Sequence, residues 1–88
     1  MPIISQFYGI LIYIYKEIGC NHNKPHIHAK YNEYELSVIL DEDKTEGNMP
    51  RKQKKLIEAW IEIHKEEIYA AWYAYNNESQ LIKIKGLE

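Results

Sequence analysis

The chain has 88 residues, of which 45% are apolar and 27% charged. That is a globular mixture sized for one domain, and it excludes an intrinsically disordered chain. A formal net charge of −2 and a pI near 6.1 exclude a globally basic nucleic-acid binder, while leaving room for a local basic patch.

Eight tyrosines, two tryptophans and one phenylalanine are a large aromatic content for this length. Aromatic rings bury much area per residue, which suits a domain that hides only roughly 60% of its unfolded surface. The single Cys20 forms no internal disulfide, which fits a reducing cytosol. There is no apolar run of membrane-spanning length, and Met1 to Ser5 has no basic stretch leading into an apolar one. The expectation is a cytoplasmic protein without a signal peptide or a membrane span.

In chain order, Phe7 to Tyr15 (FYGILIYIY) is rich in β-branched and aromatic residues and predicts one strand. Gly19 to Pro25 (GCNHNKP) has loop composition. His26 to Tyr31 and Tyr34 to Leu40 predict two strands joined by a two-residue turn at Asn32-Glu33, which lacks the usual glycine. Asp41 to Gly47 (DEDKTEG) reads as an acidic turn. From Pro50 to about Asn76 the pattern becomes helical: Ile57, Trp60/Ile61, His64, Ile68, Ala71/Trp72 and Tyr75 form one apolar stripe. Pro50 suits the first helical position, with Asn48 or Met49 as cap, and Asn76-Asn77 would stop the helix. Leu81 to Ile84 reads as an edge strand or a docked tail.

These elements predict an α+β fold: a small antiparallel sheet of three to four strands with one long amphipathic helix packed on one face. The chain reads as a single domain over 1–88, with a β-rich half over 1–47, the helix over 48–77 and a C-terminal strand or tail over 78–88.

The most informative cluster is His22-Asn23-Lys24-Pro25-His26-Ile27-His28, which holds three of the four histidines. On a strand His26 and His28 share a face, and His22 would reach them from the loop. Two imidazoles supply a general acid and base for phosphodiester cleavage. Lys24 and Lys30 are nearby cations for the charge developing on phosphate. The same histidines suit Zn²⁺ or another divalent transition metal, with His22, His26 and His28 as ligands and Glu33, Glu35 or His64 completing the shell. The first reading needs no cofactor. The bland alternative is a polar sheet face that holds the loop.

Arg51, Lys52, Lys54 and Lys55 crowd the start of the helix. Together with Lys24 they are candidate anion-binding residues, Arg51, Lys52 and Lys55 foremost. The opposing reading is a solvated basic patch neutralised by Asp41, Glu42, Asp43 and Glu46. Trp60, Ile61, Ile68, Trp72 and Tyr75 are expected in the core. Of Tyr8, Tyr13, Tyr15, Tyr31 and Tyr34, one helix cannot cover them all, and exposed tyrosines serve to stack bases or to form protein interfaces.

Taken together, Pro2-x-Ile4-Ser5-x-Phe7-x-Gly9-Ile10, His22-x-x-Pro25-His26-Ile27-His28-Ala29-x-Tyr31, Gly47-x-Met49-Pro50 and Trp60-x3-His64-x7-Trp72 resemble a family of small prokaryotic proteins, domain of unknown function 4160. The resemblance covers nearly the whole chain and is most specific at Pro25 to Tyr31. A common family form has two prolines before the histidine, where this chain has Asn23-Lys24-Pro25. Members are often encoded beside a small protein of a second family of unknown function. The resemblance therefore implies a toxin–antitoxin-type pair, with a cognate antitoxin as partner. It carries His22, His26, His28 and His64 over as polar positions without established roles.

Three functions follow as expectations. The first is a toxin-like component of a two-gene module, acting on RNA or a nucleotide through His26, His28 and the basic helix start. The second is a non-enzymatic module that pairs with itself or with a small partner protein. The third is a histidine metal-binding domain. Whether the chain is an enzyme stays open at this point.

Overall fold

The computed structural model describes residues 2–15 and 24–87. Five strands precede one helix: β1 (Ile3–Phe7), β2 (Ile10–Tyr13), β3 (His26–Tyr31), β4 (Tyr34–Ile39), β5 (Lys44–Asn48) and α1 (Arg51–Glu78). The strands pair antiparallel in the order β1-β2-β3-β4-β5, a simple meander. The α+β class and the antiparallel sheet with one long helix are as expected, but the sheet has five strands instead of three or four.

Both extra strands have a local cause. The apolar run from Phe7 to Tyr15 is not one strand, because Tyr8 (φ 48°) and Gly9 (φ 78°) turn between β1 and β2. Two consecutive positive φ values are the hairpin geometry that follows strand twist best. The acidic segment is a turn only over 41–43, with Asp43 at φ 49°, and Lys44 begins an edge strand. That strand carries charges and little apolar surface, so its pattern does not announce it. Gly47 sits in it at φ 114°, where a Cβ would lie 2.4 Å from the Glu35 carbonyl oxygen.

The Asn32-Glu33 turn falls where the composition put it, with Asn32 at φ 52° standing in for glycine. Pro50 is the N-cap, one position earlier than expected, and neither Asn48 nor Met49 takes that place. The helix runs past Asn76-Asn77 and closes at Ser79, which is left-handed, with the Ser79 and Gln80 amides donating to Tyr75 and Ala74 carbonyls. His64 is non-helical (φ −111°, ψ 20°) and kinks α1 at its middle.

Strand alternation gives the sheet two unlike faces. Ile10, Ile12, Ile27, Ala29, Leu36 and Val38 point to the helix and join Ile57, Trp60, Ile61, Ile68, Ala71 and Trp72 in one core. A register shift in β1 between Ile3 and Ser5 lets consecutive residues Ile4 and Ser5 both be buried. Leu81 to Leu87 is a tail with no strand of its own. It docks along β1: the Ile84 amide donates to the Ile4 carbonyl at 2.7 Å, and Trp60 Nε1 donates to the Lys85 carbonyl at 2.9 Å.

Candidate functional site

The sheet face turned away from the core carries the candidate site. On β3 the burial alternates, with Ile27 and Ala29 buried and His26, His28 and Lys30 half-buried. The histidines therefore lie on the outer face. Register places Tyr13 of β2 beside His28 on one side and Ser37 of β4 on the other.

The rings form a continuous cluster. His26 and His28 meet edge to face with centroids 5.2 Å apart. Tyr13 stacks on His28 at 5.3 Å with 17° between the planes, and Tyr15 meets it edge-on at 5.1 Å. Tyr13 and Tyr15 touch at 5.4 Å. Trp72 of α1 comes within 6.5 Å of His26. Its indole Nε1 is buried without a hydrogen-bond partner among the described residues. Burial, then the Glu35 charge and Tyr15, push the Tyr13 phenol above its ordinary value, so it stays protonated as a donor.

Hydrogen bonds orient the imidazoles. His26 Nδ1 lies 3.0 Å from the Lys24 carbonyl oxygen. A carbonyl only accepts, so Nδ1 carries the proton and the lone pair of a neutral ring sits on Nε2. His28 Nδ1 lies 3.1 Å from Ser37 Oγ. A hydroxyl both donates and accepts, so this bond suits either protonation state of His28. The pair can therefore serve as a base of fixed tautomer beside a group able to hold or release a proton.

The other expected site residues are dispersed. Lys24 is ion-paired with Glu42. That hydrogen bond and charge raise the Lys24 ammonium and lower the Glu42 carboxyl. Arg51, Lys52 and Lys55 are exposed at the start of α1, which has no acidic residue in its first turn. Lys52 lines a cleft with Tyr31, at the far end of β3 from His26. Five residue steps separate His26 and Tyr31, roughly 16 Å of strand. The expected union of the histidines with the basic helix start is therefore not made. His64 sits on the helix, 5.8 Å from Trp60 and hydrogen-bonded to Glu67, outside the ring cluster. Glu33 is in the hairpin turn, and Glu35 pairs in register with Lys30. His22 lies outside the described residues. Among the described residues no group of three His, Cys, Asp or Glu is placed to hold a metal ion.

Sequence reasoning passed over Ser37 and Trp72 as site members, and it named Tyr13 and Tyr15 as packing or stacking rings without joining them to His28. The signal for Ser37 was present: a two-residue turn at 32–33 pairs Tyr31 with Tyr34 and hence His28 with Ser37.

Fold and site together define a small α+β domain, a five-stranded meander backed by one helix, with an imidazole–tyrosine cluster on its outer sheet face. The chain belongs to the family described as Domain of unknown function (DUF4160), which matches residues 9–73. No curated protein and no solved structure matches the chain. Among the described residues, no helix is long and apolar enough to cross a membrane.

Proposed function

We propose that the chain is a toxin-like component of a two-gene module in the cytosol and that it acts on RNA or a nucleotide through His26 and His28. The observation that carries this reading is the His26 Nδ1 bond to the Lys24 carbonyl, which puts the lone pair of the neutral ring on Nε2, with a second imidazole 5.2 Å away between centroids. His26 takes the proton of a ribose 2′-hydroxyl as its oxygen attacks phosphorus. The bond from phosphorus to the 5′-oxygen breaks, and protonated His28 gives that oxygen its proton. The products are a 2′,3′-cyclic phosphate and a 5′-hydroxyl, with His26 left protonated and His28 neutral. Lys30, two residues on from His28 and on the same face of β3, supplies positive charge for the phosphate oxygens in this scheme.

The test is incubation of purified protein with RNA, with analysis of the product ends. His26→Ala and His28→Ala each lower the rate by about 100-fold or more. Each changes stability by no more than about 1–2 kcal/mol, because both rings are only half-buried. A folded wild-type protein with no effect on RNA or on growth removes the reading.

A second reading has its own support. Leu11 and Ile39 are half-buried on the outer face, and Tyr15 there is 44% exposed. Apolar surface on a sheet face that the described residues leave uncovered suits a homodimer or a small partner protein such as a cognate antitoxin. Light scattering after size exclusion checks it, and a strict monomer with no co-purifying partner counts against it.

A further inference from the structure

At the other end of β3, Tyr8, Tyr31, Lys52, Gln53 and Leu56 line an open cleft of about 440 Å³. That volume falls in the range of about 300–1,000 Å³ usual for small-molecule sites. The lining has the mixture such sites use: aromatic and aliphatic walls with a few polar groups.

Tyr8 is the anomaly. It occupies the first turn position between β1 and β2 at φ 48°, where Asn, Asp or Gly is the low-strain choice. Burial does not explain the choice, because Tyr8 is 59% exposed. Its partner wall, Tyr31, is half-buried and packs over Gly9, where a Cβ would sit 3.4 Å from the Tyr31 ring. One wall is thus fixed and the other is held out to solvent. Lys52 brings the cleft a positive charge, with Arg51 and Lys55 exposed beside it. Gln53 brings an amide that both donates and accepts.

We infer that this cleft binds a nucleotide unit, with the base against Tyr8 and Tyr31, the base edge on Gln53 and the phosphate on Lys52. Aromatic faces accept any base by stacking, and a lysine serves phosphate as a point charge. The same chemistry is offered by a free mononucleotide and by a residue of single-stranded RNA. The cleft is separate from the histidine cluster, so it extends the RNA reading without resting on the cleavage chemistry.

The experiment is a binding titration of the full chain with fluorescein-labelled oligo(U) and oligo(A), read by anisotropy, and with AMP and inorganic phosphate, read by calorimetry. The deciding variant is Tyr8→Asn, because asparagine suits the left-handed turn and keeps the fold. It weakens nucleotide binding about tenfold or more while leaving Tm unchanged or raised. Lys52→Gln weakens binding and flattens its salt dependence. Competition by AMP at concentrations near its own Kd assigns the cleft to free nucleotides. Binding of the oligonucleotides alone assigns it to a strand. Binding that Tyr8→Asn leaves intact, phosphate binding as tight as AMP binding, or no binding of any probe overturns the inference. RNA cleavage measured alongside separates the two sites, since the loss of AMP binding in Tyr8→Asn is read without any cleavage step.

Discussion

Tyr69 donates its hydroxyl proton to the carboxylate of Asp41, 28 residues earlier in the chain. The bond ties the second half of α1, beyond the kink at His64, to the turn between β4 and β5. It spans the end of the sheet where β3 begins, since the Leu40 amide donates to the Pro25 carbonyl there. The entry of the chain into the histidine strand is thus braced from the helix side.

This tie is pH-sensitive on the alkaline side. The Asp41 bond first, then burial and the Asp41 charge, push the Tyr69 phenol up to about 12 from its ordinary 10.0. A phenol raised on folding contributes stability that is fully present below pH 10 and is lost as the pH rises towards 12. Tyr69→Phe is therefore less stable than wild type by about 0.5–1.5 kcal/mol at neutral pH. The two proteins converge above pH 11. Urea titrations at pH 7 and pH 11 check it, and a gap that stays constant refutes it.

Gly47→Ala is predicted to be severe. The residue lies at φ 114°, and its new Cβ would meet the Glu35 backbone oxygen at 2.4 Å. Backbone on the neighbouring strand cannot swing aside as a side chain can. The expected loss is about 2–4 kcal/mol, compared with a few tenths for an ordinary exposed substitution. Thermal melting of the variant beside Glu46→Ala, on the same strand and also exposed, measures the contrast.

Trp60→Phe separates the tail from the core. Trp60 is fully buried, touches Phe7 at 5.5 Å between centroids and donates to the Lys85 carbonyl. Phenylalanine keeps an aromatic ring there and removes the donor. Stability falls by about 1–3 kcal/mol from the smaller ring and the lost bond together. Hydrogen exchange at the Ile84 amide accelerates more than exchange in β3. Unchanged protection at Ile84 would show that apolar burial alone holds the tail.

The sequence carried some parts of this fold strongly and others hardly at all. The β3–β4 hairpin was legible because alternation and a polar pair at 32–33 agree. The helix was legible because Ile57, Trp60, Ile61, Ile68, Ala71 and Trp72 keep one face, and all six are buried. The β1–β2 turn was hidden inside an apolar run, since a tyrosine occupies a position that composition assigns to asparagine or glycine. The edge strand β5 was hidden because its residues are charged and pack little. Of the site, the shared face of His26 and His28 follows from strand periodicity. Its distance from the basic helix start depends on where α1 begins relative to β3, which no local pattern encodes. Trp72 read as a core residue and is one, and its ring centroid also lies 6.5 Å from that of His26, a tertiary contact that helix periodicity alone does not encode.

The docked tail has a consequence for how the sheet grows. With Leu81 to Leu87 laid against β1, β5 is the sheet edge left open among the described residues. A sheet with two open edges can add copies without limit and build a fibre. With one edge occupied, joining through β5 consumes the remaining edge of both copies and stops at two. Residues 81–87 thus give the described sheet one covered edge and one open edge, and any strand added to it would have to join at β5.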